Sequence, residues 1–142
     1  MKAAVAGIVA GIVALVAVVA AQELTPQQRE TIRTFRQDCL NETKVDPNLV
    51  YGADRGEFPE DEKLKCFAKC FYRKVGFIDD AAELKLDYIK SKIPEGVDRK
   101  KALDVIEKCK DTKGTDACDK AFKLHKCYFE NTALFQRNVK KD

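Results

Sequence analysis

Six cysteines constrain what this 142-residue chain can fold into more than any other feature of its sequence. An even number of cysteines in a chain that enters an oxidising compartment indicates a framework of disulfides, here three. Cys66 and Cys70 lie four residues apart, which in a helix places both side chains on one face, one turn apart. The pattern therefore predicts a helical domain held by three disulfides among Cys39, Cys66, Cys70, Cys109, Cys118 and Cys127.

Residues 1–21 have the pattern of a secretory signal peptide. The segment begins Met-Lys, continues entirely in Ala, Gly, Val, Ile and Leu, and ends in the small residues Ala20 and Ala21. An apolar run of this length could also span a bilayer, but its Ala and Gly content and its cleavage site favour removal. We therefore expect a secreted, extracellular protein without stable membrane insertion, whose mature domain is residues 22–142.

Removal of that segment would leave a nearly neutral chain, with 25 basic and 23 acidic side chains. Nucleic-acid-binding domains carry a strong positive charge or a basic patch, so this balance gives no argument for a nucleic-acid partner. A domain of this length can bury a real core, so we expect the disulfides to reinforce that core rather than replace it.

Signals that start and stop helices are frequent along the mature chain, whereas strand signals are weak. The run Thr25-Pro26-Gln27-Gln28 forms a capping box, which predicts a first helix to about Leu40. The apolar positions after residue 130 have spacings that a short seventh helix would place on one side. Five helices between these two are predicted from Asp46-Pro47 to Gly52, from Pro59 to Gly76, from Asp79 or Asp80 to Pro94, from Asp98 to about Gly114, and from Asp116 through Phe129.

The predicted sixth helix carries Cys118 and Cys127, which lie nine residues apart and therefore about 180° apart around its axis. Two disulfides would leave this helix in opposite directions, which suggests a central position in the bundle. At 100° per residue, one broad inward arc collects Ala121, Phe122, Leu124, His125, Tyr128 and Phe129, and the opposite, polar side collects Asp119, Lys123, Lys126 and Glu130.

Helical geometry restricts the pairing of the cysteines only in part. The side chains of Cys66 and Cys70 would point the same way, which is a poor geometry for a bond between them. Six cysteines allow 15 sets of three disulfides, and excluding the three sets that contain a Cys66–Cys70 bond leaves 12. Spacing alone does not choose among those 12.

The full spacing C-x26-C-x3-C-x38-C-x8-C-x8-C resembles that of the insect odorant-binding proteins, the pheromone-binding and general odorant-binding family. The strings KCFAKCF at residues 65–71 and LHKCY at residues 124–128 are similar too. The C-terminal ending VKKD, residues 139–142, is most similar to fatty-acid-binding members from mosquitoes. The resemblance covers essentially the whole mature chain.

The resemblance implies an all-α fold, a six- to seven-helix disulfide-linked bundle that encloses an apolar cavity. It implies an extracellular carrier of small hydrophobic ligands, such as odorants, pheromones or long-chain fatty acids. A chemosensory receptor and a second copy in a homodimer are the macromolecular partners that it suggests. It also implies the interlocked pairing Cys39–Cys70, Cys66–Cys118 and Cys109–Cys127.

The residues themselves give no support to catalysis, to a bound metal or to a cofactor. His125 is the single histidine, and the cysteines on the third helix follow C-x3-C rather than the paired C-x2-C of zinc sites. One histidine without an obvious paired nucleophile is a weak catalytic constellation. A secreted phospholipase would need an adjacent His-Asp pair and a Gly-rich calcium loop, which this sequence lacks. We therefore expect that the protein is not an enzyme.

Apolar residues on the inner sides of the predicted helices are the candidate ligand-binding residues, although each one taken alone is more simply explained as core. Tyr128 is the preferred single candidate, because its ring could pack on an apolar chain and its hydroxyl could bind a polar head group. The resemblance places a pocket-facing aromatic at that position. The whole set is Ile32, Phe35, Leu64, Phe67, Phe71, Leu84, Tyr88, Ile89, Ile106, Phe122, Tyr128, Leu134, Phe135 and Val139.

Some members of the family release ligand on acidification through C-terminal contacts, and the apolar tail of this chain suggests the same behaviour. We expect the segment Leu134–Val139 to cover the cavity mouth as a lid and to loosen at low pH. His125 has an ordinary pKa near physiological pH, although a partly buried histidine packed beside Cys127 is the simpler interpretation.

The run Asn41-Glu42-Thr43 is a glycosylation sequon at the predicted end of the first helix. In a secreted chain, Asn41 is therefore a candidate site of glycosylation.

Two other functions compete with the carrier. A salivary or seminal-fluid scavenger or interaction protein on the same fold would bind charged amines through acidic residues in its pocket, and none can be placed clearly inside. A secreted structural protein would bind no ligand at all. The sequence favours the carrier but does not name its ligand.

Overall fold

The computed structural model describes residues 25–141, and the side chains of residues 25–132, as a bundle of six helices. The predicted signal segment, residues 1–21, lies outside the described residues. None of the described helices has both the length and the apolar character needed to cross a membrane. The predicted all-α, disulfide-linked fold is confirmed. The helices are α1 Pro26–Thr43, α2 Pro47–Asp54, α3 Glu62–Lys74, α4 Leu86–Ser91, α5 Arg99–Cys109 and α6 Ala117–Lys141.

Side-chain caps begin five of these helices, because each supplies an acceptor to a backbone N–H that has no partner inside the helix. At α1 the backbone N–H of Gln28 donates to Thr25 Oγ1 at 3.0 Å and that of Thr25 donates to Gln28 Oε1 at 2.8 Å. The capping box predicted at this position is therefore confirmed. The other caps are the carboxylates of Asp46, Asp61, Asp98 and Asp116.

Several predicted helix boundaries are wrong by a few residues, and α1 runs to Thr43 rather than to about Leu40. α2 passes through Gly52 to Asp54, because the cost of one helical glycine is offset by burial of its neighbours. α3 begins at Glu62 rather than at Pro59, because Asp61 is the residue that caps it. α5 ends at Cys109 and not near Gly114, because the backbone turns there and the N–H of residue 112 donates to the Cys109 carbonyl.

The largest error concerns residues 79–85, which were predicted to begin the fourth helix. The Asp79 carboxylate instead accepts the backbone N–H groups two and four residues later, both at 2.9 Å, and so holds a turn. Ile78 and Leu84 pair across this turn as an isolated antiparallel bridge. α4 is consequently reduced to the six residues Leu86–Ser91.

α6 runs without a break from Ala117 to Lys141, so the predicted sixth helix and the predicted short tail helix are one element. At 1.5 Å rise per residue, residue 134 lies about 13 Å beyond His125 along the helix axis. The predicted ligand-binding residues of the tail are Leu134, Phe135 and Val139, and their side chains are not among those that the structure describes.

The disulfides connect Cys39 with Cys70, Cys66 with Cys118, and Cys109 with Cys127, which are the pairs that the resemblance implied. They join α1 to α3, α3 to α6, and α5 to α6, so α6 is held from two directions as the helical wheel predicted. Among the described helix pairs, α3 and α6 share the largest interface. The buried core lies mainly between α1, α2, α3 and α6.

The helical wheel predicted that Asp119 lies on the solvated side of α6, and this prediction is wrong. Asp119 is only 3% exposed and accepts the N–H of Thr115 at 2.9 Å. Its carboxylate also pairs with Lys123 Nζ at 2.8 Å and with Lys65 Nζ at 3.2 Å. A wheel projects all turns onto one circle, so it cannot show that the first turn of α6 is enclosed by α3 and by the preceding loop.

Candidate ligand-binding cavity

A cavity of about 60 Å³ lies between α1, α2, α3 and α6. α3 supplies the largest part of its wall, because four of its lining residues recur at the i, i+3, i+4, i+7 spacing of one helix face. α2, α6 and α1 supply the other lining residues. The lining residues are Arg36, Val50, Ala53, Asp54, Leu64, Phe67, Ala68, Phe71, Phe122 and His125.

The apolar wall is built of buried and mutually packed side chains. The rings of Phe67 and Phe71 lie nearly parallel, with centroids 6.4 Å apart. The ring of Phe58 meets that of Phe122 edge to face, with centroids 5.9 Å apart. α3 is fixed at both ends of this wall, since Cys66 is bonded to α6 and Cys70 to α1. The wall therefore offers an aromatic surface of the kind on which an aliphatic chain packs.

One end of the cavity is polar. Arg36 of α1 forms two hydrogen bonds with the carboxylate of Asp54, the last residue of α2: Nη2 to Oδ2 at 2.8 Å and Nη1 to Oδ1 at 3.3 Å. The Arg36 side chain is 30% exposed and the Asp54 side chain 50% exposed, so the pair lies at the boundary between cavity and solvent. This arrangement links α1 to the end of α2.

His125 of α6 lines the same end and forms a short hydrogen bond, through Nδ1, with the hydroxyl of Tyr72. Burial is the main cause that lowers the pKa of His125; the charge of Asp54 opposes this effect, and the charge of Arg36 adds to it. Burial also raises the pKa of Tyr72 above its usual range. At neutral pH both side chains are therefore uncharged, and the charges at this end are those of Arg36 and Asp54.

The structure brings four of the predicted ligand-binding residues together at this cavity: Leu64, Phe67, Phe71 and Phe122. Their contact with a ligand stays a prediction. Five others are half-buried but do not line the cavity: Ile32, Phe35, Leu84, Ile89 and Ile106.

The inward orientation predicted for two tyrosines is wrong. Tyr128, the preferred candidate, is 54% exposed, and Tyr88 is 42% exposed. Tyr128 lies on the later turns of α6, where the helix is less enclosed than at its start, and a wheel does not record position along the axis. Tyr88 lies on the short α4, none of whose residues is fully buried.

Six lining residues were missing from the predicted set. Ala68 shares the face of α3 with its predicted neighbours, so a complete reading of that face would have found it. Val50 and Ala53 are three residues apart in a short helix, where periodicity gives little signal. Nothing in the sequence pairs Arg36 with Asp54, which are 18 residues apart. The helical wheel predicts an inward side for His125, but this alone does not assign it to the pocket.

The arrangement can hold an apolar chain with one polar group near the Arg36–Asp54 pair. Small-molecule pockets usually enclose about 300–1,000 Å³, so the walls must separate before a ligand of odorant size fits into the 60 Å³ described. Within residues 25–132, no three His, Cys, Asp or Glu side chains converge as they would to hold a metal ion.

Residues 21–131 match the family model described as the PBP/GOBP family. Odorant-binding protein 22 of Aedes aegypti is 33% identical over 132 residues, which cover 91% of this chain and 94% of that protein. General odorant-binding protein 56a of Drosophila melanogaster is 31% identical over 106 residues, which cover 74% of this chain and 76% of that protein.

The fold is also similar to that of a solved structure, the fatty acid binding protein OBP56a from the oral disk of the blowfly Phormia regina. The TM-score is 0.65 at 24% identity, over 78% of this chain and 96% of that one. At this identity the likeness concerns the fold alone. The family match and the Aedes relative, which both cover most of the sequence, go further: the chain belongs to the PBP/GOBP family of odorant-binding proteins.

Proposed function

We propose that this protein is an extracellular carrier that binds small hydrophobic ligands, such as odorants, pheromones or long-chain fatty acids. The observation that carries the proposal is the apolar, aromatic-walled cavity between α1, α2, α3 and α6, which has a single polar end. Fatty acids are included because the blowfly structure with a similar fold is described as a fatty acid binding protein. The proposed role is carriage without catalysis.

α2 is the wall that we expect to move when the cavity enlarges. Within the described residues, α3 shares larger interfaces with α1 and α6 than α2 shares with any helix. No disulfide joins α2 to the rest of the bundle, since the described bonds link α1, α3, α5 and α6. Displacement of α2 would therefore disturb fewer contacts than displacement of α3 or α6.

The proposal includes secretion with removal of residues 1–21, so that the mature carrier is residues 22–142. Asn41 is exposed on the last turn of α1, which supports its candidacy for glycosylation. Delivery to a chemosensory receptor and formation of a homodimer belong to the same proposal. Sedimentation of the purified mature chain would test the homodimer.

We also propose that the segment Leu134–Val139 covers the cavity mouth as a lid. Because α6 is continuous, such a lid requires the helix to break between the cavity residue His125 and residue 134. Truncation after Thr132 is then expected to weaken ligand binding and to remove its dependence on pH between 7.5 and 5. Equal affinity and equal pH dependence in the truncated chain would exclude the lid.

A displacement titration tests the carrier function. Long-chain acids, alcohols and amines would compete with a fluorescent apolar probe for the mature protein. The variant Ala68→Leu adds volume to the apolar wall and is expected to weaken binding by roughly tenfold, since overpacking costs about 1–3 kcal/mol. Ala81→Leu adds the same volume at an exposed position and is expected to bind as the wild type does.

Circular dichroism of both variants would show whether the fold is retained. Failure of every competitor to displace the probe would contradict the carrier and leave a structural protein. Displacement by amines alone would favour the scavenger. Equal affinity of Ala68→Leu and wild type would place the ligand outside this cavity.

A further inference from the structure

We propose that Arg36 is the head-group site for aliphatic carboxylic acids, and that Asp54 occupies this site as an internal competitor which the ligand carboxylate displaces. The inference rests on the proposed carrier function and adds the chemical class of the polar end of the ligand. It also assigns to Asp54 a role in opening the cavity.

The described contact already shows that Arg36 can hold a carboxylate at the cavity. Two guanidinium nitrogens face the two oxygens of Asp54, at 2.8 and 3.3 Å, in the parallel fork that arginine forms with carboxylates generally. A ligand carboxylate in the same place would extend its chain along the apolar wall of Phe67 and Phe71, which lines the same cavity.

Arg36 is the one charged cation among the described residues that line the cavity, since His125 is neutral at pH 7. Lys65 is buried nearby, but it does not line the cavity. Its ammonium is held by Glu60 at 2.6 Å, Asp119 at 3.2 Å and Glu62 at 3.4 Å. An acid that enters this cavity therefore finds one positive charge, and Asp54 is already bound to it.

The ligand must replace Asp54 rather than join it. A second carboxylate beside the Arg36–Asp54 pair would leave two negative charges near one positive charge, with no other charged partner in the lining. Replacement is cheap because the Asp54 side chain is half exposed and can be hydrated when it leaves. Pairs between exposed charges contribute little to stability, and the ligand carboxylate restores the same contact with Arg36.

Displacement of Asp54 would also act on the wall of the cavity. Asp54 is the last residue of α2, and Val50 and Ala53 of that helix line the cavity. Loss of the contact with α1 removes an attachment of the helix that has to move before a ligand fits. Binding of the head group and enlargement of the 60 Å³ cavity would thus be linked through one residue.

A pair of variants with a matched pair of ligands tests the inference at pH 7.5. Dodecanoic acid and dodecan-1-ol have the same chain and differ in the head group. Arg36→Gln is expected to weaken binding of the acid by about tenfold or more, as for loss of a charge-assisted hydrogen bond, and to change binding of the alcohol by less than about twofold. Asp54→Asn is expected to strengthen binding of the acid by roughly 1.5- to 5-fold, because it removes the competitor.

The control is Arg33→Gln, which removes the same charge from an exposed side chain of the same helix and should change neither affinity. If Arg36→Gln weakens acid and alcohol alike, or if Asp54→Asn fails to strengthen the acid, the head-group assignment is overturned. Should Arg36→Gln fail to fold, Asp54→Asn decides alone. If the wild type binds neither ligand, both the carrier function and this inference are contradicted. If the alcohol binds normally but the acid results differ from those expected, only this inference is contradicted.

Discussion

Asp119 and Lys65 form a buried ion pair that runs beside the Cys66–Cys118 disulfide and links the same two helices, α3 and α6. Each residue lies next to one of the bonded cysteines in the sequence. Hydrogen bonds from Lys123, Thr115 and Lys65 hold the pKa of Asp119 well below its usual range, against the opposing effect of burial. The carboxylate therefore stabilises the fold in its ionised form.

The substitution Asp119→Asn is expected to lower the thermal midpoint at neutral pH, because Lys65 then loses a charged partner in a buried place. The folded pKa is depressed, so this contribution is present above the unfolded value of about 3.9 and is lost as pH falls below it. Thermal unfolding from pH 7 to pH 2 measures it. A difference between wild type and variant that persists unchanged below pH 3 would contradict this account, and Asp38→Asn, at an exposed position, is the control.

His125 gives the protein a second dependence on pH. Because burial lowers its folded pKa, the unfolded chain binds a proton more readily, and stability falls as pH decreases from about 6.5 through the lower folded value. With both ring nitrogens protonated, Nδ1 can only donate to the Tyr72 hydroxyl.

We expect His125→Gln to remove the loss of stability between pH 7 and pH 5, as measured by urea unfolding at each pH. His125 is the single histidine of the chain, which makes the assignment direct. A loss of the same size in the variant would mean that other groups cause it.

Among the elements, the residues at which helices begin were the most predictable from the sequence. The contacts that a helix makes with the rest of the fold were the least predictable. Thr25, Asp46, Asp98 and Asp116 act as the caps that their local sequence indicates, because capping depends on residues within one turn. Asp79 has the same local chemistry but holds a turn, since pairing of Ile78 with Leu84 competes with helix formation there. The local sequence alone does not predict which of the two structures forms.

The loop between α5 and α6 depends on close approach of two backbone segments. A Cβ added at Gly114 would lie 2.3 Å from the backbone nitrogen of Lys120 and 2.6 Å from its Cα, distances that no side chain can adopt. This approach accompanies the hydrogen bond that the next residue, Thr115, donates to Asp119.

We therefore expect Gly114→Ala to displace the loop from α6. The expected loss of stability is about 1–3 kcal/mol, as for overpacking of a core. Gly96→Ala is the comparison, because its added Cβ meets nothing within 4 Å and only its φ of 89° carries a cost, of about 1 kcal/mol. Urea unfolding of both variants measures the difference. Equal destabilisation by the two substitutions would show that the close approach is unimportant.

At the scale of the molecule, the disulfides tie α1, α3, α5 and α6 together and leave α2 and α4 without a disulfide bond to the other helices. The wheel of α6 predicted bonds in two directions, but geometry left 12 pairings open because spacing does not report which helices are neighbours. The cavity was predictable only in part for the same reason. Phe67 and Phe71 follow from one helix face, whereas the contact between Arg36 and Asp54 exists only after α1 and α2 have packed.

We expect the loss of stability on removal of a single disulfide to increase with the length of chain that the disulfide encloses. On the chain-entropy account, loss of Cys66–Cys118, with a separation of 52 residues, costs about 4 kcal/mol, and loss of Cys109–Cys127, with a separation of 18, costs about 3 kcal/mol. Paired Cys→Ala variants in urea unfolding would test this order. If the Cys109–Cys127 variant is the less stable of the two, local packing rather than chain length sets the contribution.

We propose that an apolar ligand binds between α2, α3 and α6, with its chain against the aromatic wall. Intermolecular nuclear Overhauser effects from a ¹³C-labelled aliphatic ligand to the ring protons of the protein measure this contact directly. We expect effects to the rings of Phe67, Phe71 and Phe122 and none to the exposed Tyr51. Absence of binding, or effects confined to Tyr51 and other exposed side chains, would contradict it.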